Sequence, residues 1–216
     1  LGLGQVSDVS VYCERRDPVS LGDRLGDGLR LVVQDICDHD VRSLLPEALG
    51  QVSRSLDWRA VATSPEVDIV VELVGGTTIA REILETAIDN KKSVITANKE
   101  LMAQCGPDIW DRAIRAGVNV AMEASVAGGI PIHAVLREGI SGDRVEAFYG
   151  ILNGTSNFIL TEIEKRGDSL DTVLAEAQRL GYAEANPSAD IDGFDARSKL
   201  VILSALAFGE RITPGD

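Results

Sequence analysis

"VDIVVELVGGTTIAREILETAIDNKKSVITANK", Val67–Lys99, is the stretch that decides the fold. Its first run, Val67–Val74, is short, apolar and rich in β-branched residues, and the pair Gly75–Gly76 ends it. Such a run reads as a buried strand. Ile79, Ile83, Leu84 and Ala87 then recur at spacings of three and four, which places them on one face of an amphipathic helix. A second short apolar run, Ser93–Ala97, follows. Strand, helix and strand in succession form a βαβ unit, whose two strands run parallel because the chain must cross back before pairing again.

The same rhythm extends outward. Leu29–Ile36 and Asn119–Ser125 read as two further strands, and "PDIWDRAIRAG" reads as a crossover helix opened by Pro107 in its first turn and closed by Gly117. Hydrophobic residues make up 44% of the chain and aromatics only 4%, so Val, Leu, Ile and Ala must build the core, as in parallel strands covered by helices. The expected class is α/β, a Rossmann-like doubly wound parallel sheet over residues 1–125 that binds ligand outside the carboxyl ends of its strands. Beyond Ser125 the texture changes. A Gly-Pro turn leads to a strand over Asp143–Leu152, a helix fed by "NGTSNFILTEIEKRG", a second helix closed by Gly181, and a last helix over Asp195–Phe208. Leu200, Leu203, Leu206 and Ala207 are expected on the face that packs that helix against a sheet. Residues 126–216 thus read as a second, α+β domain.

Composition excludes several classes. Acidic side chains number 34 against 21 basic, a formal charge of −13 with no basic stripe, so a nucleic acid is not the expected partner. The longest apolar run, Leu200–Gly209, falls far short of the roughly 20 residues needed to cross a bilayer, and no signal peptide opens the sequence, so neither a membrane nor secretion is expected. Cys13, Cys37 and Cys105 are odd in number and far apart, which fits reduced thiols in a cytoplasm. His39 and His133 lack a partner at metal-binding spacing.

Several residues carry candidate chemistry. "LGLGQVSD" supplies Gly2 and Gly4 of a G-x-G-x-x-G phosphate loop, with Ser7 in the third glycine's place, and Gly2, Gly4 and Val6 are its candidate cofactor contacts. Asp35 and Asp38, after the second strand, suit the ribose of NAD, whereas the nearby Arg42 would suit the 2′-phosphate of NADP. Both cofactors stay open. At the ends of the next strands, Gly75, Gly76 and Thr77 can line the cofactor, and Lys99 closes "TANK" where a nicotinamide would lie. Asp195 and Lys199, taken alone, are an i,i+4 acid–base pair of the kind found on solvated helices. Glu184 and Asp190 would be loop and turn carboxylates, and Thr155 and Ser156 either cap a helix or offer its amino end to an anion.

Four segments in order change that balance: "TANK" at Thr96–Lys99, "EASVAGGIP" at Glu123–Pro131, "LNGTSNFIL" at Leu152–Leu160 and "GYAEANPSADIDGFDARSK" at Gly181–Lys199. Together they resemble the signature segments of homoserine dehydrogenases, over about Val67–Thr213. The resemblance implies the interconversion of L-homoserine and L-aspartate 4-semialdehyde, with hydride exchanged with NAD or NADP. It casts residues 126–216 as the substrate-binding and catalytic domain, incomplete at its carboxyl end. It also casts Lys199 as the catalytic lysine, Lys99 as facing cofactor and substrate, and Glu184 and Asp195, with Asp190, as the anionic pocket for the substrate ammonium. Thr155 and Ser156 then lie where the substrate carboxylate would sit, and Gly181 approaches the cofactor. "EASVAGGI" resembles the family's loop for Na⁺ or K⁺, formed by Glu123 and the carbonyls of Val126, Gly128 and Ile130; read without the resemblance it is an interdomain hinge. Family members continue past "FGERITPGD" with strands that complete the second sheet and a homodimer interface. The competing readings are a module that binds substrate and cofactor without turnover, and a dehydrogenase of another small amino acid.

Overall fold

The computed structural model describes Ser55 and residues 57–216. The Gly2–Gly4 loop with Val6, the strand over Leu29–Ile36, and Asp35, Asp38 and Arg42 lie outside the described residues. The chain divides into two compact units, Leu1–Gly129 and Ile130–Asp216.

In the first unit, α1 (Trp58–Thr63) is capped by Asp57, whose carboxylate accepts from the Arg59 amide at 2.9 Å. β1 (Ile69–Glu72), α2 (Ile79–Asp89), β2 (Ser93–Thr96), α3 (Lys99–Ala116) and β3 (Val120–Ala121) follow, with a 3₁₀ turn over Glu123–Ser125. The three strands form one parallel sheet in the order β1-β2-β3. Ile69 pairs with Ser93 and Glu72 with Thr96, so β1 and β2 end level, and Val94 pairs with Val120. The Rossmann-type α/β arrangement that Val67–Lys99 dictates is therefore present.

Packing follows the helical periodicity. Ile83, Leu84, Ala87 and Ile88 of α2 are fully buried, as are Leu101 and Ile109 of α3, each large side chain worth about 1.5–3 kcal/mol of transfer free energy. Ile79, at the start of the expected apolar face, is instead half exposed. Lys92 is buried just before β2, and its ammonium donates to the carbonyls of Ser64 and Val67 at 2.5 and 2.6 Å. A buried charge needs such partners.

Two boundaries differ from expectation. Pro107 does not open the helix; it lies inside α3, which begins at Lys99. Asn98 provides the stronger start, its side-chain oxygen accepting from the Leu101 amide at 3.0 Å, and Pro107 leaves only the Ala103 carbonyl without its helical donor. Gly117 closes the helix in the left-handed region (φ 73°), as expected. The strand expected over Asn119–Ser125 shortens to Val120–Ala121, because the chain folds at Glu123 into the 3₁₀ turn.

The described elements of the second unit are helical. α4 (Ile132–Ala134) runs into a π turn over Val135–Gly139, and α5 (Gly154–Arg166), α6 (Leu170–Arg179), α7 (Ser188–Ile191) and α8 (Phe194–Phe208) follow. Ile159, Val173, Ala177 and Ala183 form the core between α5, α6 and the chain after α6, with Phe158, Ile163 and Leu174 packed on it. Asp143–Leu152 was expected as a strand and has no ladder; among the described residues this unit contains no strand for it to pair with, and Tyr149 and Ile151 stand exposed. The buried side of α8 also differs. It is Asp195, Ser198, Val201, Ile202 and Leu203, while Leu200 is half exposed, because the helix turns its polar amino-terminal residues inward.

Candidate active site

The second unit gathers two of the signature carboxylates, Asp190 and Asp195, and the amine of Lys199 around one asparagine. Asn153 precedes α5 and caps it, its Oδ1 accepting from the Ser156 amide at 2.7 Å. Its Nδ2 donates both to Asp190 Oδ1 at 2.6 Å and to Asp195 Oδ2 at 2.8 Å. Both Asn153 and Asp195 are buried. Asp195 sits in the first turn of α8, where the helix dipole favours a negative charge. One turn later, Lys199 Nζ lies 2.7 Å from Asp195 Oδ2 and donates to the Leu152 carbonyl at 2.9 Å.

That geometry separates the Asp195–Lys199 pair from an ordinary surface ion pair. Its carboxylate is 6% and its lysine 20% exposed, and each has a further partner fixed by the backbone before α5. Two of the three N–H directions of an ammonium are taken, leaving one for a ligand. Gly193, in the left-handed region (φ 77°), turns the chain from α7 into α8 and so brings Asp190 and Asp195 to the same amide.

Thr155 and Ser156 belong to the same end of α5. Thr155 Oγ1 donates to the Tyr182 carbonyl at 2.6 Å and Ser156 Oγ to the Asp190 carbonyl at 3.0 Å, so their hydroxyl protons fasten the loop after α6. The donors that α5 itself does not use are the first-turn amides of Gly154 and Thr155. Gly181 closes α6 at φ 79°, with its own amide on Gln178 O and the Tyr182 amide on Ala177 O, a pairing that satisfies the last carbonyls of the helix. Glu184 is exposed; its backbone carbonyl is held by Gln178 Nε2 at 3.0 Å, and no hydrogen bond joins its carboxylate to the Asn153 cluster among the described residues.

In the first unit the candidate residues lie together beyond the carboxyl ends of β1 and β2. Gly75 and Gly76 are consecutive left-handed residues (φ 78° and 68°), a turn that side chains other than glycine resist. Thr77 follows, and Thr78 occupies the N-cap position of α2 without a side-chain cap bond. Asn98 Nδ2 donates to the Gly76 carbonyl at 2.7 Å, joining that turn to the start of α3, whose first residue is Lys99. Glu123 is exposed in the 3₁₀ turn, and the backbone then reverses at Ala127 (φ 54°) and Gly129 (φ 84°), between the carbonyls of Val126 and Gly128 and Ile130. Among the described residues no group of three His, Cys, Asp or Glu side chains is placed to hold a metal ion.

Sequence reasoning missed Asn153. Its signal was local: an asparagine three residues before Ser156, at the start of a helical segment, is an N-cap, and the amide that a cap leaves over is a donor.

A parallel α/β sheet with a glycine turn beyond the carboxyl ends of its strands is the arrangement of Rossmann-type nucleotide-binding domains. Residues 14–123 match the model of the homoserine dehydrogenase NAD-binding domain, and residues 131–216 match that of the homoserine dehydrogenase domain. The chain belongs to the homoserine dehydrogenase family. It is 44% identical over 209 residues to the homoserine dehydrogenase of Pseudomonas aeruginosa, a match covering 96% of this chain and 47% of that protein. The Synechocystis enzyme is 47% identical over 174 residues, covering 81% and 39%. The crystal structure of a homoserine dehydrogenase from Thiobacillus denitrificans superposes with a TM-score of 0.75 at 48% identity, over 84% of this chain and 42% of that one. A hyperthermophilic archaeal homoserine dehydrogenase in complex with NADPH gives 0.68 at 29% identity, over 79% and 54%. The chain spans about half the length of the curated relatives it matches.

Proposed function

We propose that the protein interconverts L-homoserine and L-aspartate 4-semialdehyde with NAD or NADP, in the branch that supplies threonine and methionine. The observation that carries this reading is the Asn153–Asp190–Asp195–Lys199 cluster, in which one lysine is held by a buried carboxylate and a backbone carbonyl with one donor direction left over. Lys199 then exchanges the proton of the reacting hydroxyl, and Asp195 holds its Nζ in place. Asp190 and Asp195 make the pocket anionic, and Glu184, on the adjacent loop, provides a carboxylate for the substrate ammonium. The amino end of α5, at Thr155 and Ser156, receives the substrate carboxylate through its unused amides.

The nicotinamide, when bound, accepts or returns the hydride. Gly75, Gly76, Thr77 and Lys99 are the cofactor-binding residues of the first unit, supported by their place at the carboxyl ends of parallel strands, and Gly181 contributes close backbone approach from the second. The match to an NAD-binding domain model and the NADPH complex of the archaeal relative together support a nicotinamide cofactor, NAD or NADP. Glu123 with the carbonyls of Val126, Gly128 and Ile130 is the proposed monovalent cation loop; hard oxygen donors on a reversing backbone suit such an ion. No described helix is long and apolar enough to cross a membrane. The cysteines, odd in number and widely spaced, support a cytoplasmic location, and a homodimer is proposed where the family's C-terminal region is present.

The test is absorbance at 340 nm with the full-length protein, L-homoserine, and NAD or NADP supplied separately. Reduced nicotinamide formed only with homoserine establishes the activity and its cofactor; cofactor binding without reduction identifies a binding module, and reduction with another amino acid alone identifies a different dehydrogenase.

A further inference from the structure

The carboxylate of Glu72 is completely buried at the end of β1, flanked in the sheet by Thr96 of β2. Burial of a carboxylate is costly unless donors surround it. Here Oε1 accepts from the amides of Val74 and Gly75 at 2.8 and 3.1 Å, and Oε2 accepts from Thr96 Oγ1 at 2.6 Å. Thr96 Oγ1 in turn accepts from the Asn98 amide at 3.0 Å, and Asn98 returns to the turn through Gly76 O and caps α3 through Leu101. The bonds close a ring, Glu72–Thr96–Asn98–Gly76–Gly75, that encloses the glycine turn. The sheet itself does not need an acid there, since the preceding inward position of the same strand, Val70, is filled by an apolar side chain.

We infer that Glu72 is a positioning residue of the cofactor edge: its buried carboxylate locks the left-handed Gly75–Gly76 turn to the end of β2 and to the start of α3, which carries Lys99. The amides of Val74 and Gly75 are used inside the protein, so the donors this turn offers a cofactor begin at Gly76. The inference rests on the reading of this edge as the nicotinamide site.

The experiment compares Glu72→Ala, Glu72→Gln, Thr96→Val and Gly76→Val in the full-length enzyme. It measures dissociation constants for NADH and NADPH by fluorescence, the KM for homoserine, and the urea midpoint. Glu72→Ala raises the cofactor dissociation constant roughly tenfold, the factor that loss of one well-made buried hydrogen bond produces. Homoserine KM stays within about twofold, because that ligand does not use the ring. Glu72→Gln restores most of the affinity, since its carbonyl can face the two amides while its NH₂ faces Thr96. Should Glu72→Ala fail to fold, Thr96→Val opens the ring at the two Thr96 bonds, to Glu72 and from the Asn98 amide, while keeping the carboxylate on the turn, and weakens cofactor binding alone. A lower urea midpoint with unchanged cofactor affinity, or an equal rise in homoserine KM, overturns the role of Glu72. Gly76→Val distorts the turn directly; unchanged cofactor affinity in that variant defeats the underlying reading instead.

Discussion

Asn153→Asp changes the chemistry of one atom at the centre of the cluster. The variant keeps an oxygen for the Ser156 amide, so the cap on α5 survives. The Nδ2 donor, however, becomes an acceptor 2.6 Å from Asp190 Oδ1 and 2.8 Å from Asp195 Oδ2. Each lost hydrogen bond to a carboxylate is worth about 1.5–3 kcal/mol, which bounds the loss at roughly 3–6 kcal/mol before like-charge repulsion. Asp190 can swing away from the repulsion, being only partly buried, so a loss of about 3 kcal/mol at neutral pH is expected. With a urea slope near 2 kcal/mol/M that lowers the midpoint by about 1.5 M. Asn153→Ala supplies the contrast: it loses the same two Nδ2 bonds and also the cap, worth about 1 kcal/mol, but places no charge against the carboxylates, so only its loss is free of the like-charge contribution. Folding raises the pKa of the introduced carboxyl, so the Asn153→Asp deficit is present at neutral pH and shrinks as pH falls. Urea titrations of both variants at pH 7 and 5.5 decide the matter. An Asn153→Asp midpoint equal to the parent, or one with the same pH response as Asn153→Ala, refutes the cluster as described.

Lys199→Met should lower turnover by about 10²–10⁴-fold, the range of a lost general acid–base group, with homoserine KM little changed. Near-parental turnover would remove Lys199 from proton transfer. Glu184→Gln should raise homoserine KM about tenfold while kcat holds, through loss of a charged hydrogen bond to the ammonium; an unchanged KM would reassign Glu184 as a solvated loop residue. Arg112 grips Asp89 through Nε and Nη2 at 2.8 and 2.6 Å and holds its carboxyl below the usual carboxylate range. Folding therefore lowers this pKa, so the stabilisation is complete above about pH 4 and is lost as pH falls through the folded value. Asp89 is half exposed, which limits the pair to about 0.5 kcal/mol. Acid titrations of the parent and Arg112→Gln should converge below that pH, and a gap that persists there contradicts the assignment.

The described part of the first unit was legible because its sequence signals are local. Val67–Val74 and Ser93–Ala97 each yield a strand, and the spacing of Ile83, Leu84 and Ala87 yields the face that α2 buries. The misreadings were contests between local signals. At α3, the proline rule favoured Pro107, yet the helix starts at Lys99 under the Asn98 cap, and burial of Leu101, Met102 and Ala103 ahead of the proline offsets its cost together with that cap. At α8, apolar periodicity pointed to Leu200, Leu203, Leu206 and Ala207; Leu203 is buried, while Leu200 is half exposed and Asp195 and Ser198 lie on the buried side, where Asn153 and Lys199 partner the carboxylate. Glu72 with its ring and Asn153 with its cluster were missed for another reason, although the cap at Asn153 itself was locally readable. Their roles depend on partners 24 and 37 residues away, and composition and spacing do not report such pairings.

The stretch from Asp143 to Leu152 has a further consequence. A protease cleft binds its substrate as an unpaired strand, and a segment already outside any helix or ladder enters it without local unfolding. Tyr149, 94% exposed, lies in the middle of that stretch. Among the described residues, limited chymotrypsin digestion should therefore cut there first, and a ligand that orders the segment would register as protection of a single peptide bond.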